Sequence, residues 1–229
     1  MIFDPLYLLF VLPGLGLSLW ASARVKSSFK KYSKVRTARG LTGAEAAKVL
    51  LTGAGITNVK IVRSQGMLSD HYNPVSKTLA LSESVHGSDS VAAVGVATHE
   101  AGHAIQHAQH YAPLWVRSAL VPTANVGSSI GYFVMMIGMF MASTNMVLVG
   151  AVLFSAVLLF QVVTLPVEFN ASNRAKALVV EHGIVTAQER KGVDAVLNAA
   201  ALTYVAAAVS TLLTLLYFLW RSGLIGGRR

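Results

Sequence analysis

The chain has 229 residues, of which 54% are hydrophobic and only 13% charged, with a mean hydropathy of +0.56; soluble domains carry about 25% charged residues, so an ordinary soluble globule is excluded. It has no cysteine, which excludes disulfides and thiolate-ligated metals and leaves imidazole and carboxylate as the side chains for a transition-metal site. The net charge is +9, yet seven of the 19 basic residues crowd into Arg24–Arg39, where a juxtamembrane cluster serves as topology determinant and headgroup contact rather than nucleic-acid surface.

Four apolar stretches punctuate the chain, at residues 5–23, 122–142, 146–165 and 202–220, none with a Lys, Arg, Asp or Glu. Each runs about 18–21 residues, the length a helix needs to cross a hydrocarbon core. The expectation is a mainly α membrane protein with four transmembrane helices. Ala21-Ser22-Ala23 has the small-residue look of a signal-peptidase site, but the positive charges follow the apolar run and Asp4 precedes it. That order is expected of an uncleaved anchor with its N-terminus outside.

Between the first and second spans, residues 24–117 form the larger polar portion. Thr42-Gly43-Ala44-Glu45 reads as a capping box opening a helix to about Thr52, stopped by Gly53 and Gly55. Val59–Val62 and Thr78–Leu81 alternate like strands, with turn signals at Gly66 and Asn73-Pro74. We expect a short β-hairpin there, with an exposed Lys77–Leu81 edge offered to an extended peptide. Ser88-Asp89 are expected to cap a long helix over residues 90–110. Twelve basic residues in Arg24–Arg117 and four in the 166–200 segment (Arg174, Lys176, Arg190, Lys191), against none in Ser143–Asn145, predict that both larger segments are cytoplasmic. Arg221, Arg228 and Arg229 in the tail run against that assignment.

The 90–110 helix contains His99-Glu100-Ala101-Gly102-His103. Residues four apart share a helix face, so two imidazoles can reach one ion while Glu100, one residue round, acts as a general base on a water. Small and apolar neighbours on both sides point to a buried helix, in which two histidines and a glutamate without partners are costly. A third protein ligand is required. His107 and His110 lie too far along the helix, about 12 Å from His99 in the case of His107; His71 remains open. Glu168, at the edge of the third apolar stretch, reads equally as a headgroup-level charge or as a site residue.

Three segments, Gly66-Met67-Leu68-Ser69-Asp70-His71-Tyr72-Asn73-Pro74, Val94 to His107, and Leu165-Pro166-Val167-Glu168-Phe169-Asn170-Ala171-Ser172, together resemble the bacterial YugP family of zinc-dependent membrane peptidases. The resemblance implies a small α+β zincin-like cytoplasmic portion and a gluzincin-like site, with His99, His103 and Glu168 binding Zn2+ and Glu100 as catalytic base. It further implies a multi-pass protein of the bacterial inner membrane, with the site on the cytoplasmic side. Asn73 and Asn170 stand where relatives often carry Asp, so Asn170 would orient a ligand histidine through its amide oxygen, and Ser172 offers a weaker partner than an acid. His71, Tyr72 and Arg174 are candidates to stabilise the tetrahedral oxyanion, although Arg174 has an alternative in pairing with Glu168 or Glu181.

The sequence thus predicts a zinc endopeptidase acting on peptides or membrane proteins in contact with the bilayer. The competing class is a zinc-binding membrane adaptor with little or no turnover, against which an intact Glu100 argues. A transporter would place polar residues mid-span, where only scattered Ser, Thr, Asn125 and Gln161 occur. No regulatory partner or oligomeric state is legible.

Overall fold

A computed structural model describes residues 5–66 and 68–226; Asp4, Met67, Arg228 and Arg229 of the sequence reading lie outside the described residues. The chain folds into two compact units. One comprises the chain up to Ala21, Trp115–Leu165 and the chain from Thr203; the other comprises Ser22–Leu114 and Pro166–Leu202.

The first unit is built from apolar helix. Among the described residues four helices have the length and composition to cross a bilayer: α1 (Pro5–Tyr32), α5 with α6 (Ala112–Val126 and Tyr132–Phe140, joined by a π-turn at Gly127–Gly131), α7 (Thr144–Glu181) and α8 (Ala187–Arg221). Within this unit α6 and α7 approach closely because glycine faces backbone: a Cβ on Gly131 would lie 2.7 Å from the Phe154 amide, and one on Gly138 2.7 Å from that of Val147. Small residues at such crossings let dispersion act where lipid removes the hydrophobic drive. Met135, Val147, Phe154, Tyr217 and Phe218 fill the interior. Leu9, Leu12, Phe140, Val149 and Val152 point outward, as lipid-facing side chains do.

The second unit is α+β. Helix α2 (Gly43–Gly53) starts at the expected capping box: the Thr42 amide donates to Glu45 Oε2 at 2.8 Å, and the Glu45 amide donates to Thr42 Oγ1 at 3.3 Å. Strands β1 (Lys60–Ser64), β2 (His71–Asn73) and β3 (Thr78–Ser82) form one sheet in the order β1-β3-β2. A hairpin is present, but not between the two expected strands: it joins β2 to β3 in antiparallel register, Tyr72 opposite Leu79. The Val59–Val62 segment instead contributes to β1, which runs parallel to β3 with Ile61 opposite Leu79. β3 is therefore the central strand, paired on both sides, and the expectation that Lys77–Leu81 offers a free edge is wrong: the short β2, unforeseen because three residues show no alternation, takes that edge.

After a single turn, α3 (Glu83–His86), comes α4 (Val91–Ala108). Its N-cap is Ser90, whose Oγ accepts from the Ala93 amide at 3.2 Å. Asp89, expected to share the cap, is drawn away into an ion pair with Arg36. Helix α4 forms the middle of the unit, with Val91, Val94, Ala97, Ala101 and Ala104 in one core with Leu50, Leu79, Leu81, Val179, Val193 and Leu197. A helix apolar nearly all round is a core helix, so any polar side chain on it must find partners inside the protein.

Candidate metal centre

Two helices of the α+β unit supply the polar groups. Along α4, His99 and His103 stack one turn apart, their ring centroids 4.7 Å from each other. From α7, two residues beyond Pro166, Glu168 faces them. Its Oε2 lies 3.3 Å from His99 Nε2 and 3.6 Å from His103 Nε2. The three ligand atoms all fall within 4.8 Å of one another. What permits this approach is Gly102: a Cβ there would sit 2.8 Å from the Ala171 carbonyl oxygen, so α4 and α7 touch backbone to backbone beside the cluster.

The residues fit a zinc ion on two independent grounds. The first is spacing. With Zn–N and Zn–O bonds of about 2.0–2.1 Å, tetrahedral ligands stand about 3.3–3.4 Å apart, and both histidine–glutamate separations lie close to that. The second is protonation. Gln106 Nε2 donates to the Val167 carbonyl at 2.8 Å and to Asn170 Oδ1 at 3.0 Å. A carbonyl only accepts, so this fixes the amide, and Gln106 Oε1 must face His103 Nδ1, 3.0 Å away. Nδ1 therefore carries the hydrogen and Nε2 presents a lone pair to the Glu168 carboxylate. Two acceptors face each other in a pocket where the glutamate side chain is 3% exposed and His103 8%, an arrangement that demands a cation between them. In keeping with this, burial disfavours a charged His103, yet the hydrogen bond to Glu168, the charges of Glu100 and Glu168 and the bond to Gln106 together raise its pKa above the ordinary value. A proton and a metal ion compete for the same nitrogen.

His99 is oriented by Ser172, whose Oγ lies 3.1 Å from Nδ1. Behind Gln106 the support continues: Asn170 Oδ1 also accepts from Arg174 Nε at 2.7 Å, and Arg174 Nη1 donates to Gln109 Oε1 at 2.6 Å. Asn170 thus acts on His103 through Gln106 rather than directly. Arg174 holds that relay instead of forming the ion pair with Glu168 or Glu181 weighed from sequence. Gln106, fully buried, is the residue sequence reasoning passed over; the available signal was an amide three positions past a ligand histidine on an otherwise apolar helix.

Glu100 is buried on α4 and, among the described residues, enters no hydrogen bond or ion pair, so its carboxylate is uncommitted. His71 is not one of the three grouped ligands; it is exposed on β2 with Nδ1 2.8 Å from the Ser69 carbonyl. Tyr72 places its hydroxyl 2.8 Å from His107 Nδ1, and burial raises the pKa of its phenol.

The comparisons agree with this chemistry. The family described as "Putative neutral zinc metallopeptidase" matches residues 7–223. The chain is 45% identical over 213 residues, 93% of its own length and 95% of the relative's, to a Bacillus subtilis (strain 168) protein named "Putative membrane protease YugP". No solved structure matches. A metal-ready His99–His103–Glu168 cluster and four apolar helices are what a zinc-dependent membrane protein needs, and the family match spans nearly the whole chain: it belongs to this neutral zinc metallopeptidase family.

Proposed function

We propose that the protein is a membrane-embedded zinc endopeptidase that hydrolyses peptide bonds near the cytoplasmic membrane face. The observation that carries the reading is the pairing of a cation-demanding His99–His103–Glu168 triangle with an uncommitted carboxylate, Glu100, on the same helix. Zinc held by His99 Nε2, His103 Nε2 and Glu168 Oε2 would supply Lewis-acid polarisation of the scissile carbonyl and acidify a water. Glu100 takes the proton of the attacking water and returns it to the departing amine. Gln106 and Ser172 keep the two imidazoles in the ligating orientation throughout. The outer edge of β2, which pairs with no other strand among the described residues, receives an extended peptide through main-chain hydrogen bonds. Support for the cytoplasmic assignment is the bias of Lys and Arg toward Arg24–Arg117 and the 166–200 segment, against the uncharged Ser143–Asn145 hairpin.

The test is zinc content and casein hydrolysis of detergent-solubilised protein, wild type against Glu100→Gln. About one zinc in each, with turnover reduced at least 100-fold in the variant, is the expected result. Stoichiometric zinc with no hydrolysis by either protein, across several lipid compositions, would assign the chain to the adaptor class instead.

A further inference from the structure

Beyond the metal centre, α4 borders a second concavity. A cavity of about 410 Å³ is lined by Tyr72, Lys77, His107, His110 and the Gly55–Val59 segment. Its lining holds an ammonium, two imidazoles and a phenol, with no aspartate or glutamate. Tyr72 and His107 are already coupled by their 2.8 Å hydrogen bond. His107 is held below its ordinary pKa, by burial first and then by the charges of Lys77 and His110, so the concavity is short of negative charge. Lys77 has φ +48°, a left-handed conformation strained for a non-glycine residue, at the point where the hairpin turns into β3. A turn that favours Gly or Asn carries a lysine at the cavity rim.

The cavity and the metal centre share one helix. His107 is one turn past His103 and two past His99, about 6 Å and 12 Å along the axis. An extended peptide advances about 3.3 Å per residue, so those spans correspond to roughly two to four residues.

We infer that this cavity binds a carboxylate of the peptide substrate, two to four residues from the scissile bond, through Lys77, His110 and the one outward hydrogen that the Tyr72–His107 pair can donate. The inference rests on the peptidase reading and adds to it a preference for anionic substrates. The carboxylate is either the peptide C-terminus or an acidic side chain.

The experiment uses full-length, zinc-loaded Glu100→Gln protein in detergent and fluorescent peptides followed by anisotropy. Peptides differ only in a free or amidated C-terminus, or in Glu against Gln at stepped positions. Peptides with a carboxylate at the right spacing should bind about tenfold tighter than their neutral counterparts, the scale of a charge-assisted hydrogen bond. The C-terminal and internal series distinguish the two sources. Lys77→Gly, which suits the local backbone, should abolish the difference while retaining zinc and melting temperature, and Lys77→Arg should keep it. Equal binding of acid and amide peptides while wild type still cleaves casein would overturn this site and leave the peptidase reading standing. Lys77-dependent binding to vesicles containing anionic lipid, with no peptide preference, would overturn it in favour of a headgroup site. Failure of wild type to cleave any peptide would remove both readings.

Discussion

Gln106 joins its amide oxygen to one ligand histidine and its amide nitrogen to α7, so a substitution there reaches the metal without touching it. Gln106→Leu leaves His103 free to turn and Asn170 short of a donor; zinc affinity should fall about 10–100-fold, read by competition with a chromogenic chelator. Gln106→Glu keeps an acceptor toward Nδ1 but turns its other oxygen toward two acceptors, the Val167 carbonyl and Asn170 Oδ1, so it should recover only part of the affinity. Ser172→Ala, which removes a single hydroxyl from His99, should have the smaller effect. Much of this constellation is legible in the sequence. The i, i+4 spacing of His99 and His103 puts both imidazoles on one face, and an acid at the margin of an apolar stretch marks Glu168 for attention. The Gln106 relay is only half legible: an amide three positions past His103 marks the residue, but its partners on α7 lie more than sixty positions away in the chain. Asn170 was expected to reach a ligand histidine itself, but the amide from α4 stands between them.

Among the elements, the contact of α4 with α7 sets the precision of the centre. Gly102→Ala drives a methyl group to within 2.8 Å of the Ala171 oxygen, and backbone cannot swing aside as a side chain can. We expect about 1–3 kcal/mol of destabilisation from overpacking, seen in thermal unfolding, together with weaker zinc binding because Glu168 is carried off on α7. The cap of α2 provides a pH signature. Bonds from the Thr42 amide, then its hydroxyl, lower the pKa of the exposed Glu45 carboxyl. A group whose folded pKa lies below its unfolded value stabilises above the unfolded pKa, about 4.3 for Glu, and that contribution is lost as pH falls through the folded value. Glu45→Gln should therefore flatten the fall in melting temperature on acidification, with little change in its slope near pH 7. Element types follow from pattern, since apolar runs mark the spans and the capping box marks α2. Element ends and strand partners do not. Helix α7 continues from its apolar stretch to Glu181 without a break, because backbone hydrogen bonding does not stop where hydrophobicity does. Likewise β1 pairs in parallel with β3 because the connection between them makes β2 on the way, which alternation alone cannot reveal.

For the molecule as a whole, the absence of cysteine makes the proposed orientation testable with single reporters. Cysteine at Asn145 should react with an impermeant maleimide in intact cells, whereas cysteine at Ser76, exposed in the turn between β2 and β3, should react only after the membrane is opened. The reverse pattern would place the metal centre outside. Four spans and a compact α+β unit were readable because composition separates apolar from polar segments; how the polar segments fold together was not, since they lie far apart in sequence. The three-residue edge strand β2 has one more consequence. A rail that grips main chain over so short a length reads hardly any side chains, so what qualifies a polypeptide is whether it can present an unstructured stretch. Cleavage rates of a model substrate should then follow its local opening equilibrium, falling tenfold for each 1.4 kcal/mol by which the target segment is stabilised. Such an enzyme distinguishes damaged proteins from intact ones by their looseness, with no sequence requirement beyond a carboxylate near the cleaved bond.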